Sequence, residues 1–141
     1  MQDGLPEQVP GTELTGVTVQ IAGGNYVVVR IGRGQFALYA HLQPGSPRVE
    51  VGDRVRAGQV LGLLGNTGNS DGPHLHFHIM DSPSPLRSSG VPFTFSKFTV
   101  EGLVTDIVPA FSTGSAVVES TPLDGVHRRQ MPLDSQLVAF D

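Results

Sequence analysis

Residues 72–79 read GPHLHFHI, and the reading of this stretch decides the fold. Histidines stand at 74, 76 and 78, with Leu75, Phe77 and Ile79 between and after them. In a β-strand successive side chains point to opposite faces. The alternation therefore predicts a half-buried strand, with three imidazoles about 6.5 to 7 Å apart along one face and three apolar groups turned to a core on the other. Imidazole is a common metal ligand and also the side chain that exchanges protons near neutral pH, so such a row suits metal-assisted hydrolysis. Four of the five histidines lie at 41, 74, 76 and 78, which makes this group the candidate site.

Working outward, eighteen glycines and eleven prolines cut the apolar runs into short pieces. That pattern belongs to all-β domains with tight turns and leaves little room for long helices. Residues 15–22 alternate, with Val17, Val19 and Ile21 on one side, and residues 26–31 form a β-branched run after Gly23-Gly24-Asn25, so the two predict a hairpin. A strand over residues 35–42 carries His41 near its end, and Gln43-Pro44-Gly45-Ser46-Pro47 breaks it. Residues 59–64 read as a further strand. The Gly/Asn/Ser-rich residues 65–73 read as a loop suited to lining a groove. Beyond Met80, Phe93, Phe95, Phe98 and residues 99–104 predict one or two more strands. From about residue 109 the pattern weakens, and the tail is expected to wrap the surface or stay irregular, with His127, Arg128 and Arg129 as a solvated basic patch.

Composition narrows the function. At 141 residues one domain is expected. With no cysteine, disulfides and thiolate metal sites are excluded, so any metal must be held by His, Asp or Glu. Thirteen acidic against nine basic residues, a net charge of −4, argue against nucleic acid as a partner. No apolar run approaches membrane-spanning length, and residues 1–12 lack the basic-then-apolar pattern of a signal peptide.

The segments GNYVVVRIG, FALYAHL and VGDRVRAGQVLGLLGNTGNSDGPHLHFHI, in that order over about residues 23–80, closely resemble the second half of the lysostaphin/LytM-type zinc metallopeptidases, which cut peptide bonds in bacterial cell walls. The resemblance implies an all-β fold, a compact antiparallel sheet with a groove, lacking the family's first strands. It implies a zinc ligand at His76 and catalytic histidines at His41 and His74. It also implies a peptidoglycan peptide as substrate and an extracytoplasmic or secreted location. The expected division is a truncated peptidase domain over residues 1–100 and an extension over residues 101–141.

The chain departs from the family in two ways. The family takes two further zinc ligands from an H-x-x-x-D motif ahead of the A-H-L histidine, and no histidine precedes His41 here. Catalytic zinc normally has three protein ligands and a water, so the ligand set is incomplete and this chain alone is expected to be weak or inactive. The other reading is a degenerate, non-catalytic module that binds peptidoglycan or a partner hydrolase. Relatives usually carry glutamate at the position of His78; this histidine is expected to be a solvated residue farther along the strand, the alternatives being a replacement metal ligand or a group that hydrogen-bonds a neighbour. Asp71 and Asp81 are poor substitutes for the lost aspartate, Asp3, Glu7 and Glu13 read as surface residues, and Tyr39 reads as a packed aromatic. A biotinyl-type carrier, which VGDRVRAGQVLGLLG also resembles, needs a lysine at a hairpin tip, and the single lysine, Lys97, lies elsewhere. Missing first strands would leave a sheet edge open to self-association.

Overall fold

The computed structural model describes every residue except Thr12, Leu14, Thr15 and Asp141, and the side chain of Ser112. The described residues are nearly all β, with antiparallel pairing throughout. Contacts divide the chain into two units, Met1–Val91 and Pro92–Asp141.

In the first unit, β1 (Asn25–Gly32), β2 (Gln35–Leu42) and β3 (His76–Met80) form a three-stranded sheet in that order. Valine and aromatic side chains suit both faces of a pleated surface, and both faces here are packed. One face gathers Val27, Leu42 and Val49, flanked by Val29, Val55 and Leu61. The other gathers Leu38, Ala40 and Met80, flanked by Tyr26, Val28 and Phe36. Ile79 is buried and Phe77 half-buried, as the alternation predicts, whereas Leu75, ahead of the strand, is 46 % exposed.

Three expectations need correcting here. Residues 16–22 make no strand with β1: Val19–Ile21 is a single 3-10 turn, and Thr15 lies outside the described residues. The partner of β1 is β2, while the Ile21 carbonyl takes the Gly24 N–H and the Ala22 carbonyl takes the Asn69 N–H, so these groups are spent on turns and a loop rather than a ladder. Residues 59–64 also fail to form a regular strand. Leu64 bridges Leu42, Gln43 N–H bonds Leu63 O and Arg48 N–H bonds Leu61 O, but the facing segment contains Pro44 and Pro47, which have no N–H to continue a ladder. Finally, β3 begins at His76, so His74 lies outside it.

The N-terminal residues brace this unit. Gln2 pairs with Tyr26 at the start of β1, Leu5 exchanges hydrogen bonds with the Asn25 side chain, and Gln8 exchanges them with Asn66. Asp3, Glu7 and Glu13 are exposed.

The second unit is more regular than its sequence predicts. β4 (Phe95–Asp106) pairs antiparallel with β5 (Val117–Glu119), β6 (Gly125–Gln130) and β7 (Gln136–Ala139), and a one-turn helix α1 (Ala110–Thr113) precedes β5. Strands of three to six residues are too short to carry a periodic signal of their own, and they gain order by pairing along the twelve-residue β4. Residue 100 lies inside β4. His127 is not free in solvent: its ring stacks on Phe98 at 5.3 Å and bonds the Leu123 carbonyl and the Gln130 side chain.

Two glycines let the loop before β3 lie against the turn before β1. Gly24 and Gly68 have φ of 62° and 78°, and a Cβ on Gly24 would meet the Thr67 backbone while one on Gly68 would meet Gly24 and Ala22. Gly58 has the same φ of 78° but open space around it. Gly68→Ala is therefore expected to destabilise by about 2–4 kcal/mol, the left-handed penalty plus overpacking. Gly58→Ala should cost only about 1–2 kcal/mol. Urea unfolding of the two variants separates close approach from conformation; equal losses would count against the close approach.

Candidate active site

His41 owes its position to a bulge. Asn25 pairs with Leu42 and Val27 with Tyr39, so one residue of β1 faces two of β2, Ala40 and His41. The extra residue sits at His41, whose φ of 62° is left-handed and unusual for a residue with a Cβ. Its N–H bonds Gly23 O at 3.1 Å. The alternation of β2 breaks here, which separates His41 from Tyr39: the Tyr39 ring packs on Phe77 at 5.1 Å, and burial raises its phenol pKa. Tyr39 is the packed aromatic that the sequence predicts.

The loop over residues 65–73 does more than line a groove. Asn66, Thr67 and Ser70 are buried, together with Asn25 and His41. Thr67 Oγ1 accepts the Asn25 N–H at 2.8 Å and donates to Leu42 O at 2.9 Å, while the Thr67 carbonyl lies 2.6 Å from His41 Nδ1. Ser70 Oγ donates to Asn66 Oδ1 at 2.6 Å. Asn25, Asn66, Thr67 and Ser70 read in sequence as turn residues; the only signal is their density beside histidines, because partners as much as 58 residues apart are not visible in a linear pattern. The same network explains why β3 starts late. In register His74 would face Leu42, but the Leu42 carbonyl is already taken by the Thr67 hydroxyl and the Asn25 amide. His74 N–H turns instead to Gly65 O at 3.3 Å.

Hydrogen bonding then orients two rings. A carbonyl only accepts, so His41 Nδ1 carries the proton it gives to Thr67 O, and His74 Nδ1 carries the one it gives to Gly72 O at 2.9 Å, with Ser70 Oγ at 3.1 Å. Each neutral ring keeps a lone pair on Nε2. The rings lie 4.6 Å apart, and His76 lies 5.6 Å from His41. Burial lowers the His41 pKa most, the Thr67 bond opposes it, and His74 lowers it further. His76 is lowered by burial, then by His78, His41 and His74. Imidazoles bonded to carbonyls through Nδ1 present Nε2, which in an unprotonated ring can take a proton from water and then donate to a developing oxyanion.

His78 is not the solvated residue expected first but contacts a neighbour, the alternative reading. It is half-buried and its Nδ1 lies 2.9 Å from His76 Nε2. His41, His76 and His78, with Leu38, Ala40 and Leu86, line a groove of about 320 Å³. A larger concavity of about 1340 Å³ is lined by none of the histidines. Asp81 accepts the Ser89 N–H, Asp71 is exposed, and among the described residues no three His, Asp or Glu side chains gather as a metal site. The residues present therefore do not fit a complete zinc centre.

Two measurements check this geometry. Thr67→Val leaves the buried Asn25 N–H unpaired and removes a donor from Leu42 O, so it should cost about 1–3 kcal/mol, most of it recovered in Thr67→Ser. Chemical denaturation reads both. Lowered folded-state pKa values mean that the unfolded chain binds more protons at His41 and His76 as the pH falls. Their contribution to stability is whole above the ordinary histidine pKa of about 6.5 and is lost as pH drops through the folded values. His127, raised by its bond to the Leu123 carbonyl, contributes in the opposite sense. The unfolding midpoint of wild type minus that of His41→Gln should thus shrink between pH 7 and pH 5; a difference that stays constant with pH would contradict a neutral, buried His41.

The profile of Peptidase family M23 matches residues 13–88. Over 76 residues the chain is 37 % identical to a DD-carboxypeptidase/endopeptidase of Neisseria meningitidis, covering 54 % of this chain and 17 % of that protein. It is 44 % identical over 57 residues to a peptidoglycan DD-endopeptidase of Vibrio cholerae, covering 40 % and 13 %. A glycyl-glycine endopeptidase of Staphylococcus capitis is 44 % identical over 59 residues, covering 42 % and 16 %. The matched part spans less than a fifth of each of these relatives. With the profile covering the sheet, the bulge and the histidine loop, the chain belongs to peptidase family M23.

Proposed function

We propose that this chain carries the histidine-bearing part of a zinc-dependent endopeptidase site for bacterial cell-wall peptides. In this reading His41 and His74 are the catalytic pair and His76 is the metal ligand. The observation that carries it is the pair of imidazoles 4.6 Å apart, each anchored through Nδ1 on a backbone carbonyl. A binding surface needs no such control of tautomer, whereas proton transfer and oxyanion stabilisation depend on which nitrogen is free. Peptidoglycan as substrate is supported by relatives named for DD- and glycyl-glycine endopeptidase activity, and action outside the cytoplasm goes with that substrate.

Zinc, where bound, would supply a polarised carbonyl and an acidified water. His76 is its one inherited ligand in this chain. Without two more, the chain as it stands is a weak or inactive peptidase.

The test compares this chain with a version extended upstream by a segment bearing an H-x-x-x-D motif, each assayed on purified peptidoglycan and on a pentaglycine peptide, with zinc and with chelator. Little turnover is expected from the first and chelator-sensitive turnover from the second, falling at least about 100-fold in His41→Ala and His74→Ala, as loss of acid–base groups does. Sedimentation with peptidoglycan and no turnover from either version would favour the degenerate binding module instead. Equal turnover by both would mean that residues 1–141 hold further ligands.

A further inference from the structure

Residues 81–91 form a strap that is latched to itself and to β3. Asp81 N–H bonds Ser89 O at 3.2 Å, the Asp81 carboxylate accepts the Ser89 N–H at 2.8 Å, and Val91 N–H bonds Ile79 O at 2.8 Å. Within the strap Arg87 N–H meets Ser84 O at 3.0 Å, which closes a turn with Pro85 and Leu86 at its two central positions. Proline presets the first central dihedral of such a turn, so the corner has little freedom. The corner keeps Leu86 56 % exposed, and both Pro85 and Leu86 line the histidine groove.

A second exposed apolar side chain lines the same groove: Val19, on the 3-10 turn before β1, is 73 % exposed. Neither it nor Leu86 belongs to the clusters packed on the two faces of the sheet. An apolar side chain held in water by a latched turn adds little to folding, and it gains free energy when a ligand covers it. Among the described residues that line the groove, none is Asp, Glu, Lys or Arg. A charged side chain entering there would lose water without meeting an opposite charge, whereas glycine would leave Val19 and Leu86 uncovered. At about 320 Å³ the groove is at the small end of ligand sites, which favours a small side chain over a large one.

We infer that Leu86 is a specificity-determining residue: with Val19 it selects, beside the histidines, a peptide residue with an apolar side chain of alanine size over glycine and over charged residues. That the ligand is a peptide rests on the peptidase reading above; the side chain it carries is what the groove adds.

The experiment titrates the isotope-labelled chain, with chelator present, with trialanine, triglycine, Ala-Glu-Ala and Ala-Lys-Ala, all acetylated and amidated, and follows backbone amide shifts by nuclear magnetic resonance. Trialanine is expected to shift the amides of Ala22, Gly23, Asn69 and Leu86 and to bind at least about tenfold more tightly than triglycine, the discrimination that a methyl group gives in an apolar pocket. The two peptides with a charged centre should bind no better than triglycine. Leu86→Ala should bring trialanine to within about threefold of triglycine while leaving triglycine affinity unchanged. Leu86→Met, apolar and of similar volume, should keep the preference. Val60→Ala removes an equally exposed side chain that does not line the groove, and should bind as the wild type does. Absence of shifts at these amides, equal affinity for trialanine and triglycine, a preference that survives in Leu86→Ala, or an equal loss of both peptides in that variant would overturn the assignment. Neither zinc nor hydrolysis enters this measurement. The expected preference together with no turnover in the assay above would sink the peptidase reading alone, and chelator-sensitive turnover without the preference would sink the role of Leu86 alone.

Discussion

The site depends on Thr67. Its hydroxyl accepts from Asn25 at the start of β1 and donates to Leu42 at the end of β2, and its carbonyl takes the His41 proton. Thr67 is fully buried, and a polar group taken out of water without a partner costs as much as the bond it fails to make. Each of these groups is paired, and among the described residues no buried side-chain nitrogen or oxygen lacks a partner. Moving the loop would break all three bonds together. The loop is therefore as fixed as the sheet, although it contains no regular secondary structure between residues 65 and 73.

That rigidity supports a strained backbone. His41 holds a left-handed conformation at a bulge, a state that persists only where the surroundings over-determine it. Its N–H is held by Gly23 and its ring by Thr67, from two different segments. The bulge redirects one side chain out of the alternation of β2, which is how His41 comes within 4.6 Å of His74 without lying on a neighbouring position of the ladder. Conformational cost at one residue is thus exchanged for a pair of imidazoles whose free nitrogens are defined.

Along β3 the control is different. His76 and His78 are held by the ladder with β2 and by contact with each other, and among the described residues no backbone carbonyl bonds either ring. The histidines therefore fall into two pairs: one bonded through Nδ1 to backbone carbonyls, and one whose rings contact each other.

Much of this was legible in residues 23–80. The alternation of 74–79, the β-branched run of β1 and the AHL end of β2 identify the central strands, because side-chain period is a local property of a pleated chain. The order of those segments also identified the family. Local pattern misled where pairing was decided elsewhere: residues 16–22 alternate but meet no free strand edge, residues 59–64 face prolines, and β5 to β7 are too short to show a period without β4 beside them. The sequence by itself determined which residue types the site contains and which face of β3 they occupy. Only the tertiary structure decided that His41 sits on a bulge, that His74 lies outside the strand, which nitrogen of each ring is free, and that His78 meets His76. Those outcomes rest on hydrogen bonds between residues up to 42 positions apart, and on a carbonyl at Leu42 already spent before His74 could pair with it, and neither is a property of any stretch of sequence alone.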